Sequence, residues 1–544
     1  MLGHPIGKDV PMNDESGTAR VGALAPFQRR AFGWLWVGVV LSSVGAWAQT
    51  VGAQWLFIND PNAATIISLV QTAATLPMVL FSLAAGVLSD AFNRRRMLLW
   101  VQVYFLVVAG LLSALTALDR MPPLLLLAFT FAIGVGNAVM VSTWQPLITE
   151  LVPRSHLAAA IRLDMVSVNV ARAIGPAIAG VVIAAWGVPP VFAITAALTL
   201  FLIGALLGWR RAPRTPAATR ERFLPALRAG GRYVRHEPVV RLILTRLAIF
   251  VAPATAMWAL LPLIANRQLG LGADGYGVLF GALGVGAIAA AFTVGHLGRH
   301  FSANTMLSVM GIVYGIAFAL TMVVPGLVSA VPLLIVLGYA WTATVATLNA
   351  ELQLFLPGWV RARAVAVYMM TFTAAQALAS PVWGLIAQHG SLAAAVWIAS
   401  GLVVVGGLAG FAWHFPESEG LDRAPVSFWG EAQLLEEPAP DAGPVQVQVT
   451  YVVPAERYAE WRTAMDGMRR SRLRSGASRW ELYRVGERAD TYLEIFTIPS
   501  WAEHLHQHQI RLTVEDQAIE EHAFSFIVEP AAAVHLLPTE APDD

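Results

Sequence analysis

Gly86-Val-Leu-Ser-Asp90-Ala-Phe-Asn93-Arg94-Arg95-Arg96 stands between two apolar runs, 63–88 and 96–118, each long enough to cross a bilayer. An aspartate and three consecutive arginines do not sit in hydrocarbon, where one charge at the midplane costs about 2.5–3.5 kcal/mol on insertion scales. The stretch therefore reads as a short, wet, turn-forming loop. Its arginines put it on the cytoplasmic side of a membrane.

Composition points the same way. Hydrophobic residues make up 56% of the 544 and charged residues 13%, with a mean hydropathy of +0.60; a soluble domain carries about 25% charged residues. This excludes a purely soluble protein. The net charge of +1 averages over unlike regions, and no nucleic-acid partner is expected. With no cysteine, neither a disulfide nor a thiolate metal site can form.

Runs of about 20 apolar residues predict twelve spanning helices, near 31–58, 63–88, 96–118, 122–148, 160–187, 189–209, 239–265, 275–297, 303–325, 330–356, 362–388 and 391–414. The loops after the second, fourth, sixth, eighth and tenth helices hold Arg94 to Arg96, Arg154, a series from Arg210 to Arg235, Arg299, and Arg361 with Arg363. The opposite loops hold almost none, so both termini are expected in the cytoplasm of a bacterial inner membrane protein. The first helix is expected to act as an uncleaved insertion signal.

These signals divide the chain into a cytoplasmic tail (1–30), a first six-helix half (31–211), a basic linker (212–238), a second six-helix half (239–415), a Pro-rich linker (416–444), a small soluble domain (445–535) and a terminal tail (536–544). Within the basic linker, 223–234 has the pattern of an amphipathic helix that could lie on anionic lipid; a solvated connector is the competing reading. The pairs Pro153/Gly180 and Pro357/Gly384 share one spacing, a weak repeat that supports two parallel halves.

The pattern Gly86-x-Leu88-x-Asp90-x-x-Asn93-Arg94-Arg95-Arg96 resembles the signature loop between the second and third helices of the major facilitator superfamily. Asn93 stands where glycine is usual, an exchange explained if asparagine takes up a left-handed backbone there. Asn169-Val-Ala-Arg172-Ala-Ile-Gly175-Pro176-Ala-Ile-Ala-Gly180 is similar to the exporter signature of the fifth helix. Glycines let helices touch, and an intramembrane proline frees carbonyls that can line a cavity; ordinary small-residue packing explains the same residues. With Trp144-Gln-Pro146, Glu150-Leu-Val-Pro153-Arg154, Leu352-Gln353 and Arg361-Ala-Arg363, the chain resembles the transmembrane secretion effector branch, which includes enterobactin-exporter-like proteins. The resemblance covers 30–415. It implies an all-α polytopic fold, alternating access, and a gating role for Gly86, Asp90, Arg94 and Arg95.

Titratable groups inside the spans are few. Asp164 and Glu351 fall within apolar stretches and are the candidates for a proton whose binding changes between two facing states, although both lie near helix ends and could simply be wet. Arg172 lies ~18 Å into the predicted fifth helix, near the middle of a ~30 Å core, where it must face a cavity or a partner such as an anionic substrate or Asp164. Arg246, ~10 Å into the seventh helix, is a secondary candidate that could instead snorkel. Trp34, Trp36, Trp47, Trp55, Trp144, Trp258, Trp341, Trp383 and Trp397 mostly suit interfacial belts or packing, with a few able to stack on a planar substrate.

Beyond the Pro-rich linker, strands at 445–453, 479–485, 491–498 and 523–528 alternate with helices at 455–471 and 500–521. That order suggests a small α+β ferredoxin-like domain. It resembles the antibiotic-biosynthesis-monooxygenase-like domain that follows some transporters of this branch, which implies either monooxygenase activity or only dimerisation or ligand binding there; fold alone licenses no chemistry. His504 and His508 share a helical face near His506, but without cysteine or zinc-type spacing an exposed polar face is the simpler reading, and neither metal nor cofactor is expected. The expectation overall is a proton-coupled exporter of a small amphiphile of siderophore or drug class, not an enzyme. A membrane-tethered enzyme or sensor acting through the tail, and a lipid or lysolipid transporter, are the alternatives.

Overall fold

The computed structural model describes residues 22, 24–209, 223–416, 425–429 and 434–538, with the side chains of Asp90 and 223–229 outside that description. The readings of the N-terminal tail, of 210–222 in the basic linker, of most of the Pro-rich linker's first half and of the last six residues lie outside it too.

Six helices form the first half: α1 (Arg30–Trp55), α2 (Ala63–Ala91), α3 (Arg94–Ala117), α4 (Pro123–Leu151), α5 (Arg154–Trp186) and α6 (Pro189–Gly208). A connecting helix, α7 (Phe223–His236), leads into α8 (Pro238–Leu263), α9 (Ala273–Leu297), α10 (Ala303–Leu320), α11 (Gly326–Phe355), α12 (Gly358–His389) and α13 (Leu392–Ala409). All but α7 are long and apolar enough to cross a membrane, twelve candidate spans among the described residues. Proline opens α4, α6 and α8, where its missing N–H would have had no intrahelical partner.

The Asp90 stretch departs from the expected loop. Helix α2 continues through Asp90 to Ala91, leaving Phe92 and Asn93 as the whole connection to α3. Asn93 has φ −68° and is not left-handed; its side chain accepts from the backbone N–H of Arg95 at 3.1 Å and of Arg96 at 3.4 Å, capping α3. Asparagine fits this position as an N-cap.

The halves meet at the end of the bundle remote from both termini. Along α2 and α12, Ser380 Oγ donates to the Ser68 carbonyl at 2.8 Å, Thr72 Oγ1 to the Ala377 carbonyl at 3.0 Å, and Gln388 Nε2 to the Pro61 carbonyl at 2.8 Å. The Tyr276 hydroxyl of α9 donates to Gln54 Oε1 of α1 at 2.6 Å, fully buried. Helices α5 and α9 approach through small residues: a Cβ at Gly180 would stand 3.0 Å from the Gly277 Cα, and one at Gly284 would stand 2.8 Å from the Ala173 Cα. Side chains larger than hydrogen cannot occupy such a contact.

The tail contains β1 (Val445–Val452), α14 (Tyr458–Ser475), β2 (Arg479–Arg484), β3 (Thr491–Ile498), α15 (Trp501–His506), α16 (Val514–Phe524) and β4 (Ala532–Leu536). Its sheet order is β2-β3-β1-β4, antiparallel throughout, the ferredoxin-like arrangement. Two details differ from expectation. The helix expected over 500–521 is interrupted by a π turn at Gln507–Arg511 and restarts where Thr513 and Asp516 form a capping box. Because α16 then runs to Phe524, the last strand falls at 532–536 instead of 523–528.

The tail is packed on the bundle. Arg474 of α14, almost wholly buried, donates to Glu237 at the start of α8 at 2.7 Å and to Asp516 at 2.8 Å. Burial pushes the Asp516 carboxyl up, but the Arg474 charge and hydrogen bonds from Ser471 and Thr513 outweigh it and hold its pKa below the ordinary value. Helix α7 packs against α14 of the tail. Arg511 lies over the Trp359 ring of α12 at 5.1 Å.

Candidate functional site

Arg172 stands near the middle of the 33-residue α5. Its guanidinium lies 5.4 Å from the centre of the Trp47 ring on α1, a cation–π arrangement. Three residues on, Gly175 lets α1 close against α5, since a Cβ there would stand 2.7 Å from both the Trp47 Cβ and the Val44 carbonyl. Arg172 Nε is shielded from solvent without a hydrogen-bond partner among the described residues, and no ion pair joins Arg172 to Asp164. Asp164 instead accepts from Trp144 Nε1 at 2.8 Å, within the first half.

Trp47 is the first ring of an aromatic band that crosses between the halves. Its ring lies 5.8 Å from Phe280 of α9; Phe280 lies 5.5 Å from Trp258 of α8, Trp258 5.5 Å from Trp341 of α11, and Trp341 5.9 Å from Phe372 of α12. Trp258 Nε1 is another buried donor without a partner among the described residues. The sequence reading placed most of these tryptophans in belts or packing and passed over Phe280 and Phe372; helices that are apolar all round carry no stripe to say which ring faces which neighbour.

The remaining candidates are scattered. Arg246 donates to Asn304 Oδ1 at 2.6 Å and to the Gly410 carbonyl at 3.0 Å and lies 5.2 Å from the Phe415 ring, which makes it a strut between α8, α10 and the end of α13 and not part of the band. Glu351, four residues from the end of α11, lines an open groove of about 490 Å³ with Arg299, His300 and Asn304 at the termini end. Arg94 pairs with Glu150 of α4 at 2.7 Å, and Arg95 donates to the last carbonyls of α6, Leu206 at 2.8 Å and Leu207 at 3.0 Å. These contacts complement the negative end of α6 and brace the first half. Gly86 has open space around its Cβ position, whereas Gly175 and Gly180 are each demanded by a neighbour, Gly175 within the first half and Gly180 across the halves. Between them the Pro176 carbonyl lies 2.8 Å from where a Gly277 Cβ would be.

The transmembrane secretion effector family model matches residues 21–541. The chain belongs to that family. This transmembrane secretion effector is 22% identical over 275 residues to the staphyloferrin A transporter of Staphylococcus aureus, covering 50% of the chain and 69% of that protein. Among solved structures it is similar to a nucleoside transporter (12% identity, TM-score 0.57, 70% of this chain and 98% of that one). A bacterial homologue of the iron transporter ferroportin, in an inward-facing state, is similar too (16%, TM-score 0.55, 71% and 98%). At those identities the likeness establishes the fold, that of the major facilitator superfamily. The chain is thus a multi-pass membrane transporter and not an enzyme.

Proposed function

We propose that this protein is a secondary-active exporter that couples inward proton movement to outward passage of a small amphiphilic compound of the siderophore class by alternating access. The observation that carries the reading is Arg172: a mid-depth cation without a carboxylate partner among the described residues, at one end of an aromatic band spanning the two halves. An unpaired charge at that depth is costly unless something neutralises it. An anionic ligand with a flat or apolar body answers both the charge and the rings. Likeness to the staphyloferrin A transporter supports a siderophore-class cargo.

The arginine-rich loops put both termini in the cytoplasm in this reading, so the closed end is the outer end and the protein faces inward. Asp164 and Glu351 are the groups proposed to take up the coupling proton, Asp90 is proposed to govern switching between states, and the two six-helix halves are proposed to rock against each other around the band. The test is transport in proteoliposomes, with an anionic ferric chelator as cargo and an imposed pH gradient. Movement that follows the gradient and disappears with a protonophore supports the proposal; movement unaffected by either would leave a transporter but remove the proton coupling.

A further inference from the structure

Three imidazoles converge in the tail. Nε2 of His504 lies 3.2 Å from Nε2 of His508 and 3.0 Å from Nε2 of His535, and a ligand nitrogen of each falls within 4.8 Å of the others. Two different elements bring them together. His504 and His508 are one helical turn apart across the junction of α15 with the π turn, and His535 faces them from β4. His506, between the first two in sequence, is not in the group.

A neutral imidazole has one N–H and one lone pair on its two ring nitrogens. His504 Nε2 can either donate to one neighbour or accept from one, so protons alone leave one of its two close contacts unsatisfied. A single cation bound by the three lone pairs satisfies both. Three nitrogens about 2.0–2.1 Å from a tetrahedral zinc ion stand roughly 3.3 Å apart, close to the two separations that His504 makes.

We propose that His504, His508 and His535 form a site for a divalent first-row transition metal ion of the zinc type, with a fourth position for water or an added ligand. Imidazole suits this class of ion, and three protein ligands leave coordination open. The cluster is shielded by its surroundings, His504 being buried and His508 and His535 half-buried. The Trp429 ring lies 4.5 Å from His508, and the Trp501 ring 5.2 Å from His504. The nearby positive charge of Arg472 is taken up by Glu494 at 3.3 Å and Glu520 at 2.9 Å, so it does not face the cluster uncompensated.

The test uses the full chain in detergent, freed of any histidine tag and stripped with a chelator, then titrated with Co2+ and Zn2+. One Co2+ per chain is expected, with the visible absorption of four-coordinate cobalt, displaced by Zn2+. Zinc affinity should fall at least tenfold in His508→Gln and in His535→Gln and stay unchanged in His506→Gln. Circular dichroism and melting of each variant check folding; should one variant fail to fold, the other decides. No stoichiometric cobalt binding, or zinc affinity that survives both substitutions, overturns the site.

Discussion

Arg172 and Arg474 are both arginines largely removed from water, and their surroundings are opposite. Arg474 joins the tail to the bundle through carboxylates of Glu237, Glu515 and Asp516, at 2.7, 3.1 and 2.8 Å. Arg172 has the face of Trp47 and no carboxylate among the described residues. A charge surrounded by its own counter-charges is fixed structure, because removing either partner leaves the other buried and unpaired. A charge held only by an aromatic face still has capacity for a visitor. The tail is thus tied down by paired charges, whereas the interface between the halves is the place we propose for the cargo.

The largest test of that contrast is Arg172→Leu. It should reduce transport to background while membrane levels and melting temperature hold, since the substitution removes a cation from hydrocarbon depth; Arg172→Lys should keep part of the activity. Full transport by the leucine variant would remove the site. Next comes Gly180→Leu, whose side chain would meet Ala273 and Gly277 of α9. It should cut transport at least tenfold and hold the remote end open, raising the reactivity of a cysteine placed at Ser68.

Glu237→Ala addresses the other arginine. It removes one of the three carboxylates on Arg474 and should cost about 1.5–3 kcal/mol, the usual worth of a hydrogen bond to a charged group, seen as faster proteolysis between bundle and tail. An unchanged rate would mean that Arg474 is satisfied by the tail's own carboxylates and that the docking is weaker than its geometry. The smallest effect is on pH. Burial lowers the pKa of His504 to about 3 and of His508 to about 4, so the unfolded imidazoles, at about 6.5, bind protons the folded ones refuse. The metal-free tail should therefore have this contribution in full above about pH 6.5 and melt several degrees lower as pH falls from there towards 4; a flat profile would mean the cluster is open to water.

Hydrocarbon thickness made the spans legible: each needs about 20 apolar residues, and the twelve helices lie where such runs lie. Charged stretches marked the connections, while Arg94 and Arg95, expected to gate, are seen bracing α4 and α6. What could not be read is which faces meet. Helices that are apolar all round do not announce their neighbours, so the band through Phe280 and Phe372 and the contacts of Arg246 with Asn304 and Gly410 are visible only in three dimensions. In the tail, His535 is 27 positions beyond His508 in sequence and joins it only because β4 pairs with β1. Asn93 was read by analogy with glycine, whereas a cap is a local hydrogen-bond choice.

The chain contains no cysteine, which permits a direct trial of the claim that transport requires the remote end of the interface to part. Ser68→Cys and Ser380→Cys together put two thiols where Ser380 Oγ now reaches the Ser68 carbonyl at 2.8 Å. Transport is measured in proteoliposomes before oxidation, after oxidation and after reduction. Activity should fall to background when the disulfide forms and return when it is reduced; a cross-linked protein that transports at the uncross-linked rate would contradict the account.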